Sequence, residues 1–358
     1  MNLAAGLKKR GHEVFFASGR APDAVGSKRV HQYAAERGLE VVKGLRLAKQ
    51  MHVVGNLVDA RALRSVLRQE KIDIVHTHLA NDHLIAALAI RGLSDPPRVV
   101  RTFYDGSQLP WRIRTVYMLS RHTDCAIFCS RPVRDATVAR YLLDNGKTAI
   151  LHGAVDLERF DPARPLPEMR PRFGLKPADY VVGVVARVQR HRRFDILLEA
   201  AEKAAAARPD FRLLVIGRGT KLEEIAVRPV LERGLQDVVK FAGYLSGDDY
   251  VGCLAALDAK VFLMPGTDGS CRAVREAMAM GVPIIAAKRG MLPEIVEDNI
   301  TGRVVDDTPD KLAEAFIELG GAELRRKLGA AAADRARRSF DLRALAENVE
   351  TIYHQLLE

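Results

Sequence analysis

The chain has 358 residues, which is enough for two domains with separate hydrophobic cores. Hydrophobic residues make up 48% of the sequence, a fraction typical of globular proteins that excludes a disordered chain. Lys and Arg number 55 against 45 Asp and Glu, a net charge of +10. This charge favours nucleotide phosphates, nucleic acid or an acidic membrane as a partner, or else a solvated basic surface with no single partner.

Further classes are disfavoured by local features of the sequence. No apolar stretch approaches the ~20 residues that span a bilayer, and the opening MNLAAGLKKRGHEV lacks the apolar core of a secretory signal. The four cysteines form no CxxC pair, which predicts reduced thiols in a cytoplasmic protein. Aromatic residues are only 6% and do not interleave with basic stretches, so we expect no nucleic-acid partner.

The first part of the chain alternates strand and helix patterns. Short apolar runs predict buried strands at Val14–Ala17, Leu39–Val42, Ile72–His76, Arg98–Phe103, Cys125–Cys129 and Thr148–Leu151. The segments between them predict helices at Arg61–Glu70, Asp82–Arg91 and Trp111–Arg121. Such alternation is typical of a parallel, doubly wound sheet covered by helices.

The start of this series departs from the doubly wound pattern, which opens with a central strand and a glycine-rich turn. This chain opens with a helical segment, Asn2–Arg10, that ends at Gly11 before the strand at Val14. The first strand of the N-terminal domain is therefore missing from the pattern. We expect either a start further upstream or a damaged first domain.

A proline- and charge-rich stretch, Asp161–Pro177, predicts a linker. The strands predicted after it are Val181–Ala186, Phe211–Ile216, Val238–Phe241, Lys260–Met264, Pro283–Ala287 and Thr301–Val305. Helical segments at Lys311–Ser339 and Asp341–Glu358 close the chain. We predict an α/β fold of two Rossmann-like doubly wound domains facing a cleft, at residues 1–160 and 178–339. The last helix, 340–358, is expected to pack back on the N-terminal domain.

The segment VFLMPGTDGSCRAVREAMAMGVPIIA, residues 261–286, is the most informative of the chain. It predicts a strand, a polar loop at Gly266–Cys271, a helix and a second strand. Helix N-terminal amides favour a bound anion, and ligands of open α/β sheets bind at the carboxyl ends of strands. Asp268 and Glu276 stand near two helical turns apart, so both carboxylates can face one ligand, such as a phosphorylated sugar. The alternative is that Asp268 only caps the helix.

The chain resembles GT-B-type retaining glycosyltransferases of glycosyltransferase family 4, nearly from end to end. The resemblance rests on several ordered segments rather than on one motif. They are LAAGLKKRGHEVFFA at 3–17, DIVHTH at 73–78, HGAVDLERF at 152–160, VVARVQRHRRFD at 184–195, LVIGRG at 214–219 and GMLPEIVEDNITG at 290–302. It implies an acceptor-side N-terminal domain and a C-terminal domain that binds a nucleotide-sugar.

The resemblance also implies a donor site in the second domain. Arg187 and Arg192 would hold the donor diphosphate, with Arg192 in place of the usual Lys. Asp268 stands where the family commonly has Glu and would contact the donor sugar, while Glu276, in an intact Glu-Ala-Met-Ala, would bind the ribose hydroxyls. The amides of a loop would meet sugar and phosphate, and a turn would lie near the base. These further donor-site residues are Gly269, Ser270, Cys271 and Arg272 on the loop, and Gly243 and Tyr244 on the turn.

The acceptor side departs from the family pattern. The family often has a His after Thr102 and Phe103, and this chain has Tyr104, whose hydroxyl does not titrate near neutral pH. His76 and His78 are the other acceptor-side candidates, or else simply hydrogen-bonded histidines at the end of a strand. Tyr104 implies either a different substrate or impaired catalysis.

The implied reaction is transfer of a sugar from a nucleotide-sugar to an acceptor hydroxyl with retention, in lipopolysaccharide, envelope or other glycan synthesis. Arg187, Arg192 and helix amides can stabilise the leaving diphosphate, so we expect no cofactor and no essential metal. The basic residues around Trp111 suit a peripheral cytoplasmic enzyme that contacts anionic membrane and a glycan or lipid-linked acceptor.

Three alternatives remain open at this point. One is a non-catalytic or degenerate nucleotide-sugar-binding relative, and another is a nucleotide-sugar epimerase on the same scaffold. The third is a zinc hydrolase, because three histidines and an aspartate occur between His76 and His83.

Overall fold

The computed structural model describes residues 1–19, 25–48, 50–105 and 109–358. They form two compact units. Unit 1 comprises Met1–His152 and Leu342–Glu358, and unit 2 comprises Gly153–Asp341. The C-terminal segment therefore belongs with the N-terminal part of the chain.

The segment predicted as a linker, Asp161–Pro177, is part of unit 2 instead. It is held there because Met169 and Leu175 are buried and Arg170 is bonded on several sides. The Arg170 guanidinium donates to the carbonyl oxygen of Ala256 and to the Asp258 carboxylate, at 3.1 and 2.7 Å. Proline and charge in this stretch thus reflect an irregular packed segment rather than a free linker.

In the described residues of unit 1, six short parallel strands form two sheets, one of order β1-β2 and one of order β3-β4-β5-β6. Its strands are β1 (Phe15–Phe16), β2 (Glu40–Val41), β3 (Ile74–Thr77), β4 (Arg98–Phe103), β5 (Cys125–Phe128) and β6 (Thr148–Ile150). Its helices are α1 (Asn2–Lys9), α2 (Val25–Glu36), α3 (Val53–Gln69), α4 (Ala80–Ile90), α5 (Ile113–Arg121), α6 (Arg131–Tyr141) and α14 (Leu342–Leu357). β1 and β3 lie in different sheets.

Helices α1 and α14 cover one face of the larger sheet of unit 1. Leu7 of α1 and Val349 and Tyr353 of α14 are buried in one cluster with Val100 and Ile127 of the strands. Arg10 adds an ion pair to Glu350 at the surface of the two helices. The last helix of the chain therefore completes the core of unit 1.

Unit 2 is a six-stranded parallel sheet of order β12-β11-β10-β7-β8-β9. Its strands are β7 (Tyr180–Val185), β8 (Phe211–Ile216), β9 (Val239–Gly243), β10 (Ala259–Phe262), β11 (Ile284–Ala287) and β12 (Gly302–Val305). Its helices are α7 (Phe194–Ala207), α8 (Arg228–Glu232), α9 (Gly247–Ala255), α10 (Asp268–Ala279), α11 (Leu292–Ile295), α12 (Pro309–Glu318) and α13 (Ala322–Ser339). The central strands are buried on both faces, as continuous apolar runs predict.

The predicted α/β class with parallel sheets is confirmed, and the strand runs fall within two residues of the observed strands. Two helices differ more. The helix predicted at Arg61–Glu70 begins already at Val53, and the one predicted at Lys311–Ser339 is two helices separated at Gly320 and Gly321. Of the helices in the described ranges, none has the length and apolar character needed to cross a bilayer.

Candidate functional site

The sheet of unit 2 has its topological switch point between β7 and β10. The chain adds β8 and β9 beside β7, and β11 and β12 beside β10. Loops after two such neighbouring strands form the usual ligand crevice of an open α/β sheet. Arg187 follows β7 and Asp268 follows β10, so the residues predicted for a donor site gather at this edge of the sheet.

Helix α10 begins at Asp268, which shortens the loop that the sequence predicts at Gly266–Cys271. Gly269 and Cys271 lie in the first turn, because the Cys271 amide already bonds to the carbonyl oxygen four residues earlier. Cys271 is buried and Gly269 is exposed. The side chain of Ser270 lies outside the described part of the structure.

The Asp268 carboxylate is held by a buried arginine within the same helix. Arg275 Nη1 donates to Asp268 Oδ1 at 2.8 Å, and Arg275 Nη2 donates to the Asp268 carbonyl oxygen at 2.9 Å. The Gly153 amide donates to the same Oδ1 at 2.9 Å. Sequence reasoning missed Arg275, although its spacing of seven residues from Asp268 places both on one helix face.

Glu276 is buried two turns further along α10 and keeps two partners. Its Oε2 accepts a hydrogen bond of 2.7 Å from the Tyr250 hydroxyl, and Oε1 lies 3.3 Å from Nε of the exposed Arg272. Burial, and then the Glu276 charge, raise the pKa of Tyr250, so the phenol remains a donor. Tyr250 lies on α9 and is not part of any motif by which it could have been recognised in the sequence.

Lys260 lies fully buried on β10 and was not anticipated from the sequence. Its Nζ has no hydrogen-bond partner among the described residues, and it lies 5.6 Å from the centre of the Phe262 ring. Burial lowers the pKa of Lys260 to about 8, while the charges of Glu276 and Cys271 oppose that shift. An ammonium group thus lies in the electrostatic environment of Glu276.

Arg187 and Arg192 form a basic pair after β7. Arg187 is exposed, whereas Arg192 ends a short 3-10 turn and is half-buried. Burial, and then the charge of Arg187, lower the pKa of Arg192. Nε of Arg192 is buried without a hydrogen-bond partner among the residues that the structure describes. Two guanidinium groups that repel each other favour an anion bound between them.

The glycines of LVIGRG let β8 pass close to this basic segment. A Cβ on Gly217 would lie 1.9 Å from the Ala186 carbonyl oxygen, and one on Gly219 would lie 2.1 Å from that of Val188. Both distances are shorter than any real contact, and Gly217 has a φ of +147°. The two glycines therefore fix the path of the backbone on either side of Arg187.

Gly243 and Tyr244 lie beside the same edge. The Gly217 amide donates to the Gly243 carbonyl oxygen at 2.8 Å. Tyr244 is exposed, with the Arg218 guanidinium 4.7 Å from the centre of its ring. The turn thus offers an aromatic face and a cation near the basic pair.

In unit 1, His76 is half-buried near the end of β3, and both of its ring nitrogens are engaged. Nδ1 lies 2.6 Å from the Tyr353 hydroxyl and Nε2 lies 2.6 Å from the Thr102 hydroxyl. Burial, with smaller contributions from the charges of His78 and Arg101, lowers the pKa of His76 well below its usual value. His76 is therefore a neutral, hydrogen-bonded histidine of the strand end.

His78 and Tyr104 come together at the carboxyl ends of β3 and β4. Nδ1 of His78 lies 2.6 Å from the Tyr104 hydroxyl, and the His76 and His78 rings stack with centres 4.6 Å apart. Burial is the main cause that lowers the pKa of His78 to about 4. The structure thus brings the three acceptor-side candidates into one cluster.

The residues suggested as a zinc site do not converge on one point. His83 lies on α4, where its Nε2 is 3.0 Å from the Thr123 hydroxyl. Within the described ranges, no group of three or more His, Cys, Asp or Glu residues is arranged to hold a metal ion.

Comparison with solved structures identifies the fold. A glycosyltransferase from Rickettsia africae superposes with a TM-score of 0.84 over 100% of this chain and 93% of its own, at 19% identity. Anabaena Alr3699/HepE, solved in complex with UDP, superposes with a TM-score of 0.79 over 99% of this chain and 95% of its own, at 17% identity. The fold is that of the GT-B glycosyltransferases.

Comparison of sequences gives the family. The profile described as "Glycosyltransferase Family 4" matches residues 1–159, and "Glycosyl transferases group 1" matches residues 167–335. The lipopolysaccharide core biosynthesis mannosyltransferase LpsB of Rhizobium meliloti is 30% identical over 66% of this chain and 70% of its own. The chain belongs to the group 1, family 4 glycosyltransferases.

A mannosyltransferase of Corynebacterium glutamicum is more similar over a shorter stretch. It is the GDP-mannose-dependent monoacylated alpha-(1-6)-phosphatidylinositol monomannoside mannosyltransferase. The identity is 34% over 54% of this chain, and the match spans about half of that relative's length, 55%.

Proposed function

We propose that this glycosyltransferase moves a sugar from a nucleotide-sugar to an acceptor hydroxyl with retention at the anomeric carbon. The observation that carries the proposal is the basic pair of Arg187 and Arg192 at the switch point of the unit 2 sheet, next to the first turn of α10. A diphosphate leaving group gains negative charge as its bond breaks, and guanidinium groups and helix amides stabilise that charge. We propose that no essential divalent ion is required.

The remaining donor contacts follow from the two carboxylates of α10. Glu276, oriented by the Tyr250 hydroxyl, would accept hydrogen bonds from the ribose hydroxyls. Asp268 Oδ1 is occupied by Arg275 and Gly153, so Oδ2 is the oxygen left to accept a hydroxyl of the donor sugar. Gly243 and Tyr244 would border the base, and Arg272 and the amides of Gly269, Ser270 and Cys271 would border sugar and phosphate.

Calorimetric titration with a panel of nucleotide-sugars tests the donor site. We expect one donor to bind, and Glu276→Ala to weaken its binding about tenfold or more because the ribose loses its charged acceptor. Glu232→Ala, an exposed residue of unit 2, is the matched control. Binding that is equally strong in Glu276→Ala would contradict the assignment, and EDTA in the turnover assay tests the metal independence.

A second candidate is a nucleotide-sugar-binding relative without turnover. It is favoured by Asp268, which is shorter than the usual Glu, is held by Arg275 and lies directly against Gly153. Donor binding without sugar transfer to a broad acceptor panel would support it. Conversion of the donor sugar without any acceptor would instead indicate an epimerase.

We further propose that unit 1 contacts anionic membrane at the inner face and acts on a lipid-linked or envelope glycan. Trp111, Ile113 and Tyr117 are exposed, and Arg114 Nη1 lies 3.1 Å from Sδ of the exposed Met51 next to α3. Exposed apolar and basic side chains on one surface suit a peripheral contact with acidic lipid. The apolar side chains exposed at the start of α3 extend this surface; they are Val53, Val54, Leu57 and Val58.

Cosedimentation with vesicles tests the membrane contact. We expect binding to phosphatidylglycerol vesicles at low salt, weaker binding to phosphatidylcholine, and a loss in Trp111→Ser/Ile113→Ser. Leu231→Ser, an exposed apolar residue of unit 2, serves as the control. Equal sedimentation of the double variant and the wild type would remove this part of the proposal.

A further inference from the structure

Arg101 is a buried guanidinium that the proposed chemistry does not yet use. It lies on β4 with 6% of its surface exposed. Its Nε and Nη1 atoms are buried and have no hydrogen-bond partner among the residues that the structure describes. Buried charged donors without partners are costly, because the protein replaces none of the lost hydration.

The carboxylates around Arg101 compensate only in part for this burial. Asp82 Oδ1 lies 3.7 Å from Nη1, beyond hydrogen-bond distance. The Asp82 oxygens are already occupied, because they accept the backbone amides of His78 and Leu79 at the start of α4. Burial lowers the pKa of Arg101 more than the charges of Asp82, Tyr104 and Asp105 raise it. A guanidinium nevertheless stays charged in proteins.

The histidines near Arg101 neither neutralise this charge nor add to it at neutral pH. Burial is the main cause that lowers the pKa of His78 and of His83 to about 4, and that of His76 well below its usual value. The charge of Arg101 acts on all three in the same direction. The charge of Arg101 is therefore balanced only in part by Asp82, and the guanidinium lies 4.9 Å from the centre of the Phe103 ring. The neighbouring imidazoles are neutral, and both ring nitrogens of His76 are already engaged.

The position of Arg101 suits a ligand of the acceptor side. Arg101 lies within β4 and pairs in register with Thr77, the last residue of β3; His78 follows β3 directly and Tyr104 follows β4 directly. If the Tyr104 hydroxyl donates to Nδ1 of His78, then Nε2 of His78 carries the proton and can donate. A guanidinium and an imidazole N–H are a suitable donor pair for an oxyanion.

We propose that Arg101, with His78, binds a phosphate group of the acceptor. The inference rests on the proposed function and deepens it by naming the acceptor class. The phosphate either belongs to a lipid headgroup or is carried by a soluble phosphorylated acceptor. A bound phosphate would add a negative charge beside a guanidinium that Asp82 balances only in part, which gives this costly buried arginine a role.

Calorimetry with inorganic phosphate tests the proposal in an Arg187→Met/Arg192→Met background, which removes the proposed donor phosphate site in unit 2. We expect this background to bind phosphate. Within it, Arg101→Met should lower the affinity for phosphate about tenfold or more. Arg98→Met, an exposed arginine of the same strand, is the matched control. Arg101→Lys keeps the charge but loses the guanidinium fork, so we expect an intermediate affinity.

The outcomes separate this inference from the proposed function. No phosphate binding in the background, or equal binding in Arg101→Met and Arg98→Met, overturns the inference. Amide hydrogen exchange in unit 1 of Arg101→Met reports whether that unit is folded, and donor titration of the same variant with Arg187 and Arg192 intact reports whether unit 2 binds donor. A wild type without donor binding would overturn the proposed function while leaving the phosphate result intact. If Arg101→Met fails to fold, Arg101→Lys decides alone: unchanged affinity in that variant overturns the inference.

A second arm identifies the source of the phosphate. Vesicles of phosphatidylglycerol and soluble glycerol 3-phosphate are titrated into the same variants. Arg101-dependent binding of vesicles supports a lipid-borne phosphate, and Arg101-dependent binding of glycerol 3-phosphate alone supports a soluble acceptor. Binding of both that does not depend on Arg101 overturns the inference.

Discussion

At the scale of single residues, the candidate donor site contains buried charged residues that do not belong to any recognisable sequence motif. Glu276 could be recognised from its surroundings in sequence, because Glu-Ala-Met-Ala is intact. Arg275 and Lys260 could not, since a charged residue within an apolar run normally indicates an exposed position. Their burial becomes evident only when β10 and α10 pack together.

Lys260 gives a stability prediction with a defined pH window. The pKa of Lys260 is lowered to about 8 in the folded protein, from 10.5 ordinarily, so the unfolded state binds the proton first as the pH falls. The free energy of unfolding should therefore decrease as the pH falls from 10.5 to 8, and it should stay level below pH 8. Lys260→Met should remove this slope and raise the free energy of unfolding at pH 7 by about 3 kcal/mol.

Urea unfolding at pH 7 and pH 10 measures this effect, with the exposed Lys327→Met as control. A lower stability of Lys260→Met at pH 7 would mean that the ammonium is a needed partner of Glu276. In that case Glu276→Gln in the same background should restore stability.

The pair of Arg275 and Asp268 gives a second prediction at this scale. Both side chains are shielded from water, so Arg275→Met leaves the Asp268 carboxylate without its charged partner. We expect a loss of about 3–5 kcal/mol in the free energy of unfolding. The additional change Asp268→Asn should recover part of it, because it removes the stranded charge. Purely additive losses in the double variant would show that the two side chains are not coupled.

At the scale of elements, the strands were predictable and the ends of helices were not. Central strands of a parallel sheet are buried on both faces, so continuous apolar runs marked β4, β8 and β11 closely. Helix α10 begins at Asp268 rather than after Cys271, because the Cys271 amide closes a turn that a polar loop sequence does not reveal. Asp161–Pro177 was misjudged because Arg170 packs a proline-rich segment against unit 2.

The end of β8 gives a prediction for an element that shapes the site without contacting a ligand. Gly217→Ala places a Cβ 1.9 Å from the Ala186 carbonyl oxygen and at an unfavourable φ, so β7 and β8 must separate there. We expect a loss of about 3 kcal/mol in the free energy of unfolding and weaker donor binding, since Arg187 is displaced. Calorimetry and urea unfolding measure both. Gly321→Ala, at a φ of −74°, is the control. Unchanged donor affinity in Gly217→Ala would show that the backbone conformation at the end of β8 does not influence donor binding.

At the scale of the whole molecule, the chain closes its first unit with its last helix. The resemblance to family 4 assigns candidate donor residues in unit 2 one by one, and these assignments stay predictions. In unit 1 it names His78 and Tyr104 as acceptor-side candidates, whereas Arg101 beside them came from the structure. This difference has a physical reason. Phosphate and ribose are common to all nucleotide-sugars and demand similar groups, whereas acceptors differ, so the groups that recognise them vary between relatives.

Deletion of Leu342–Glu358 tests this organisation. Helix α14 contributes Val349 and Tyr353 to the core of unit 1, and the Tyr353 hydroxyl contacts His76. We expect the deletion to raise amide hydrogen exchange in α1, β3 and β4 by orders of magnitude, because their shared apolar face becomes exposed. The sheet of unit 2 should keep its protection and its donor binding, since its core contains no residue of α14. Glu347→Ala, which removes only an exposed ion pair with Arg10, should leave exchange in both units unchanged. Equal loss of protection in both units would show that they fold as one cooperative body rather than as two.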